Sequence, residues 1–235
     1  MSTQALNTEA VIRIKHGLAS VEITKENGAR ASKNISLDDL STVIQANTSL
    51  RTPLLPGAWG TKMYVKRGDY EYFLFTTPPM IRDVKFDDGD GDIEEHTIPT
   101  PGLAFYVQVR SQNGNNPEIL NTSIFALRHQ ILTTGDTLYR APYTNVHGNN
   151  AICWNGQLVA ALPTVSAVAS IESQFFMNAF NRDLDGGRFQ SFGEANTVRR
   201  FFRHLDGKNE FPLERLIATD HTIGSYMSRF IQGQG

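Results

Sequence analysis

Pro142-Tyr143-Thr144-Asn145-Val146-His147-Gly148-Asn149-Asn150-Ala151-Ile152-Cys153-Trp154 contains the only cysteine of a 235-residue chain. Asn145 stands upstream of it, with the polar turn Gly148-Asn149-Asn150 between them. Such a turn folds the chain back and is expected to bring the Asn145 amide near the Cys153 sulfur. A thiol and an amide donor together suit thioester chemistry. The thiolate attacks a carbonyl, and the amide N–H stabilises the oxygen on which negative charge develops. The same residues also have a plain structural reading. A lone cysteine beside Ile152 and Trp154 packs as a small hydrophobe, and an asparagine next to a turn bonds its own backbone.

Family resemblance separates the two readings. Asn-Val, a short polar turn and Ile-Cys together resemble the active-site loop of ubiquitin-conjugating enzymes, in which a His-Pro-Asn tripeptide precedes the thioester-forming cysteine at the same Asn-to-Cys spacing. More closely, Thr137-Leu138-Tyr139-Arg140-Ala141-Pro142-Tyr143-Thr144-Asn145-Val146 followed by Cys153-Trp154 resembles the bacterial ubiquitin-conjugating-like family D, which includes the PRTRC system protein B group. Pro101-Gly102-Leu103-Ala104-Phe105 and Glu172-Ser173-Gln174-Phe175-Phe176-Met177-Asn178-Ala179-Phe180 add to the likeness, which spans roughly residues 50 to 215. Tyr143 and Thr144 depart from the pattern, standing where the wider superfamily has His and Pro.

The resemblance implies that Cys153 carries a ubiquitin-like protein as a thioester and that Asn145 stabilises the oxyanion or orders the loop. His147 and Tyr143 are the candidate assisting groups. The implied partners are a ThiF-like adenylating enzyme, a small ubiquitin-like protein and a JAB-type peptidase, in a plasmid or mobile-element setting. No metal and no small cofactor is expected on this chain, because ATP is consumed on the adenylating partner.

Composition narrows the classes further. A net charge of −2 with no Lys/Arg block lacks the electrostatic signature of nucleic-acid or anionic-membrane binding. No apolar run approaches a membrane span, and Met1-Ser2-Thr3-Gln4 does not open a signal peptide, so the expected compartment is the cytoplasm. A single cysteine cannot form an intramolecular disulfide, and the six scattered histidines make no zinc spacing.

Along the chain, residues 10–16 and 20–24 alternate apolar and polar and predict a hairpin, followed by a loop over 26–30. Ser36 with Asp39 marks the start of a short helix over 37–44. Residues 61–66 and 70–75 flank Arg67-Gly68-Asp69, which reads as a hairpin turn rather than an adhesion motif. Residues 80–86 are expected to extend that sheet. Asp87 to Glu95 is a dense acidic run without calcium-loop spacing, read as a solvated loop. Leu103 to Arg110 is the clearest strand, with Ile119 to Leu127 as its antiparallel partner. A helix is expected from Pro163-Thr164 to about Asn181, another over 194–205, and a last short one from Phe211. The tail after Ser228 reads as frayed.

The expected fold is α+β: a ubiquitin-conjugating-like antiparallel meander flanked by helices, with an added N-terminal β-hairpin and C-terminal helices. We read 1–235 as a single domain, divided into 1–50 (hairpin and helix), 51–182 (conjugating-like core) and 183–235 (helical extension). Two further functions compete with the carrier. One is a non-catalytic module of the same fold that binds a ubiquitin-like protein. The other is a cysteine hydrolase, for which no partner histidine is identifiable.

Overall fold

The computed structural model describes residues 9–15, 18–24, 28–36, 49–52, 54, 60–111, 116–129, 132–154, 156 and 158–233. The chain divides into two compact units, Met1–Ser49 and Leu50–Gly235.

The first unit is a three-stranded antiparallel meander of β1 (Glu9–Lys15), β2 (Leu18–Thr24) and β3 (Arg30–Ser36). The expected hairpin is its first two strands, with Val11 opposite Glu22 and an Arg13–Glu22 ion pair at 2.8 Å. β3 is an addition to that expectation. Its sequence Arg-Ala-Ser-Lys-Asn-Ile-Ser is exposed almost throughout, so it has no buried face and no apolar period to mark it as a strand. The helix expected over 37–44 lies outside the described residues.

The second unit is built on a sheet of seven strands. In chain order they are β4 (Ser49–Arg51), β5 (Gly60–Arg67), β6 (Tyr70–Thr77), β9 (Gly102–Arg110), β10 (Glu118–Leu127), β11 (Thr137–Arg140) and β12 (Ala218–Thr222). The spatial order is β12-β11-β10-β9-β6-β5-β4. Gly68, at φ 57°, makes the tight turn between β5 and β6. β7 (Met80–Asp87) and β8 (Ile93–Thr100) do not extend this sheet, contrary to expectation; they pair with each other as a separate hairpin, and Phe86 of β7 adds a parallel bridge to Phe180.

β9 is central and covered on both faces. Leu103, Phe105, Val107 and Val109 pack, as their alternation predicts, into a core with Phe175, Phe176, Phe180, Phe201 and Phe202. Ala104 and Tyr106 face a second core, closed by Tyr226, Met227 and Phe230. Each fully buried large apolar side chain contributes about 1.5–3 kcal/mol.

Three helices follow: α1 (Ser170–Met177), α2 (Val198–Leu205) and α3 (Ile223–Ile231). The helix expected from 163 to 181 is shorter than its apolar spacing suggests. A 3-10 segment, Val165–Ala169, precedes α1, and Asn178 turns extended (φ −83°, ψ 138°) to end it. Phe180 therefore enters the core from an extended segment, where its N–H donates to Lys85 and its carbonyl accepts from Asp87. In α2, Val198, Phe201, Phe202 and Leu205 are all buried, as expected. The last helix does not start near Phe211, where a 3-10 turn, Leu213–Arg215, forms instead. It starts at Ile223, held by a Thr222–Ser225 capping box, and runs past Ser228 to bury Phe230.

Candidate active site

The turn at residues 148–150 folds the chain back as its composition implies. The His147 N–H donates to the Ala151 carbonyl at 2.8 Å, the Asn150 N–H to the His147 carbonyl at 2.9 Å, and the Cys153 N–H to the Asn145 carbonyl at 2.9 Å. Val146 and Ile152 bridge antiparallel between them. This register sets position 145 opposite 153, so the turn brings the backbones of the two candidate residues together. Asn150 makes the bend with φ 70°, a left-handed conformation that asparagine tolerates better than most side chains.

The returning arm is moored on β10. Ala151 bridges Ser123, the Ile152 N–H donates to the Thr122 carbonyl at 3.0 Å, and the Ile124 N–H donates to the Asn150 carbonyl at 3.0 Å. Trp154 adds a side-chain tie, its indole N–H donating to the Thr122 hydroxyl at 2.8 Å. Cys153 sits between these anchors, half-buried.

Asn145 is 5% exposed. Its side-chain amide donates to the Ala179 carbonyl at 3.0 Å, and its Oδ1 is buried with no hydrogen-bond partner among the described residues. The neighbouring Thr144 hydroxyl accepts from the Asn181 N–H at 3.2 Å. Both side chains thus stitch the hairpin to the extended segment after α1. The amide expected to face the sulfur is committed to ordering the loop.

Tyr143 occupies the core. It is 1% exposed, stacks on Phe180 with ring centroids 5.2 Å apart, and meets Phe175 and Phe176 edge-on. Burial pushes its phenol well above the ordinary tyrosine range. The assisting role considered for Tyr143 therefore has no route to solvent; the ring fills the site's floor. His147 is exposed on the turn, with its backbone engaged on both sides.

Two groups have no signal in the local sequence. Arg188 is buried, and its guanidinium donates to the Val146 and His147 carbonyls. A polar cleft of about 540 Å³ adjoins the turn, lined by Arg140, Asn149, Asn150, Asp220, His221 and Arg229. Its walls come from segments far apart in sequence, so no motif could announce it. Among the described residues, no three His, Cys, Asp or Glu side chains gather to hold a metal, and no helix is long and apolar enough to cross a membrane.

The acidic run also departs from a purely solvated loop. Glu94 pairs with Arg199 and Arg203 of α2, and Asp88 pairs with Arg199 at 2.9 Å. The two arginines fasten α2 to the β7–β8 hairpin.

Comparison with known proteins gives one family, prokaryotic E2 family D, whose model matches residues 40–219. No curated protein and no solved structure matches the chain. The match covers six strands of the large sheet and the start of β12, the hairpin carrying Cys153 and the first two helices, and the α+β architecture is that of the ubiquitin-conjugating-like fold.

Proposed function

Because the chain belongs to prokaryotic E2 family D, we propose that it is a ubiquitin-conjugating-like carrier with Cys153 as the acyl acceptor. The observation that carries this reading is the hairpin register, which opposes Asn145 and Cys153 and leaves the cysteine half-exposed on a loop moored to the sheet. A carrier nucleophile must be both reachable and fixed, and this position supplies both.

The Cys153 thiolate attacks the carbonyl of a ubiquitin-like protein's C-terminus held as a thioester on a ThiF-like adenylating enzyme. A C–S bond to Cys153 forms, the bond to the donor enzyme's sulfur breaks, and that sulfur leaves as thiolate. Thiol exchange of this kind needs little proton transfer, so it does not require a Cys–His pair. An amine then attacks the thioester, a C–N bond forms, Cys153 leaves as thiolate, and the amine's proton passes to solvent or to exposed His147. Asn145 acts mainly by ordering the loop through Ala179. A JAB-type peptidase is the class of partner that would reverse the linkage, and the cytoplasm is where such partners would meet.

A second reading is a non-catalytic module that binds a ubiquitin-like protein. It is favoured by the bond that engages the Asn145 amide with Ala179 and by the burial of Tyr143.

A charging assay separates the two. The protein is mixed with its cognate adenylating enzyme, ubiquitin-like protein and ATP, beside Cys153→Ala, and resolved on non-reducing gels. A thiol-sensitive adduct that needs Cys153 is the expected result. Its absence while the adenylating enzyme is itself charged overturns the carrier and leaves the binding module.

A further inference from the structure

Arg188 lies between α1 and α2, beyond the hairpin in sequence, and is only 4% exposed. Its guanidinium points at backbone carbonyls. Nε donates to Leu184 at 3.1 Å, Nη1 to His147 at 3.3 Å, and Nη2 to Val146. Two of these acceptors belong to the outgoing arm of the reactive hairpin. The returning arm is held by β10 through Thr122, Ser123 and Ile124. The hairpin is therefore gripped from two sides, by a strand and by a guanidinium.

Burying a cation costs free energy, and among the described residues Arg188 makes no ion pair that would offset it. Burial and the nearby Arg140 charge lower its pKa, while Asp185 opposes them; an arginine stays protonated regardless. A methionine would fill much of the same volume without that cost. What arginine adds is a planar fork whose donors reach several carbonyls at once, a geometry lysine cannot reproduce.

We propose that Arg188 is a positioning residue for Cys153: by fixing the Val146 and His147 carbonyls it holds the register that sets Cys153 opposite Asn145. The consequence for acyl transfer rests on the carrier reading; the consequence for the hairpin does not.

The test uses the full chain with Arg188→Met and Arg188→Lys. Amide hydrogen exchange is followed on peptides covering 142–154, with peptides from β9 and α3 as internal reference. The rate of Cys153 alkylation by iodoacetamide is measured across pH on the same proteins. Where charging works, discharge of the thioester to free lysine is split into kcat and KM. Arg188→Met is expected to speed exchange at 146–153 on the order of tenfold, with β9 and α3 unchanged. It is also expected to move the alkylation profile and to lower kcat for discharge at constant KM. Arg188→Lys, which keeps the charge without the fork, should recover only part of each effect.

Uniform acceleration across all peptides, or unchanged exchange in the hairpin, would overturn the proposal. If the methionine variant does not fold, the lysine variant decides: faster exchange confined to the hairpin supports the role, and wild-type exchange with a wild-type alkylation profile sinks it. Failure of the wild type to form a thioester removes the carrier reading alone, because hairpin exchange is read on the uncharged chain.

Discussion

The side-chain amide of Asn145 donates to the backbone carbonyl of Ala179 at 3.0 Å, tying the hairpin before Cys153 to the segment that leaves α1. Asn145→Ala removes this tie and should cost about 1–2 kcal/mol in urea unfolding. Asn145→Asp should cost more than alanine, because it turns a carboxylate toward a carbonyl inside the protein. If aspartate is tolerated as well as alanine, the amide's bond to Ala179 is not what holds the loop.

Tyr143 offers a sharper contrast. Its buried hydroxyl makes no well-formed hydrogen bond among the described residues, only a weak interaction with the Thr100 side chain, while its ring packs against Phe175, Phe176 and Phe180. Tyr143→Phe should leave the thermal midpoint and the Cys153 alkylation rate near wild type. Tyr143→Ala should lose roughly 3–5 kcal/mol of stability. Loss of transfer activity in the phenylalanine variant, with stability intact, would restore a chemical role to the hydroxyl.

At the bend, Asn150 is the only non-glycine residue with positive φ among the described residues. Asn150→Gly should change stability by no more than about 0.5 kcal/mol, whereas Asn150→Ala should cost about 1–2 kcal/mol in backbone strain. Comparing the two urea midpoints checks this. Equal midpoints would mean that the turn relaxes out of the left-handed region at little cost.

Electrostatics make a pH-dependent case at Glu94. Hydrogen bonds from Arg203 and then Arg199 hold its carboxyl down to about 2, from an ordinary value of 4.5. A depressed carboxylate stabilises the fold fully above its unfolded pKa, and the contribution fades as pH falls through the folded one. The window therefore runs from about pH 4.5 down to about pH 2. Because Arg203 is half exposed, screening reduces the contribution to on the order of 1–2 kcal/mol. Urea unfolding of wild type and Glu94→Gln should differ by that amount at pH 7 and converge toward pH 2. A gap that persists unchanged into strong acid would exclude the ion pairs as its source.

What the sequence revealed followed the range of each interaction. The alternation at Leu103, Phe105, Val107 and Val109 is local, and it located the central strand and its buried face. The turn at 148–150 is local too, and it placed Cys153 against Asn145. β3 was invisible because both its faces meet water, leaving no period to read. α1 was overextended because Phe176, Ala179 and Phe180 keep helical spacing after the backbone has turned extended at Asn178. The Glu94–Arg203 pair and the grip of Arg188 on Val146 join residues distant in the chain, so nothing near either partner announces them. The commitment of the Asn145 amide depended on where Ala179 came to rest, which is a property of the assembled core.

The edge of β10 is finished by three separate pieces of chain: β11 against Phe125 and Ala126, residues 150–152 against Thr122 to Ile124, and residues 160–162 against Pro117 to Ile119. Each piece is indexed to β10 by its own bonds and does not depend on the neighbouring piece for its register. The segment carrying the thiol is thus an exchangeable cassette. Lengthening the stretch between residues 154 and 160 should leave Cys153 where it is, and a related loop of equal span should seat in the same berth.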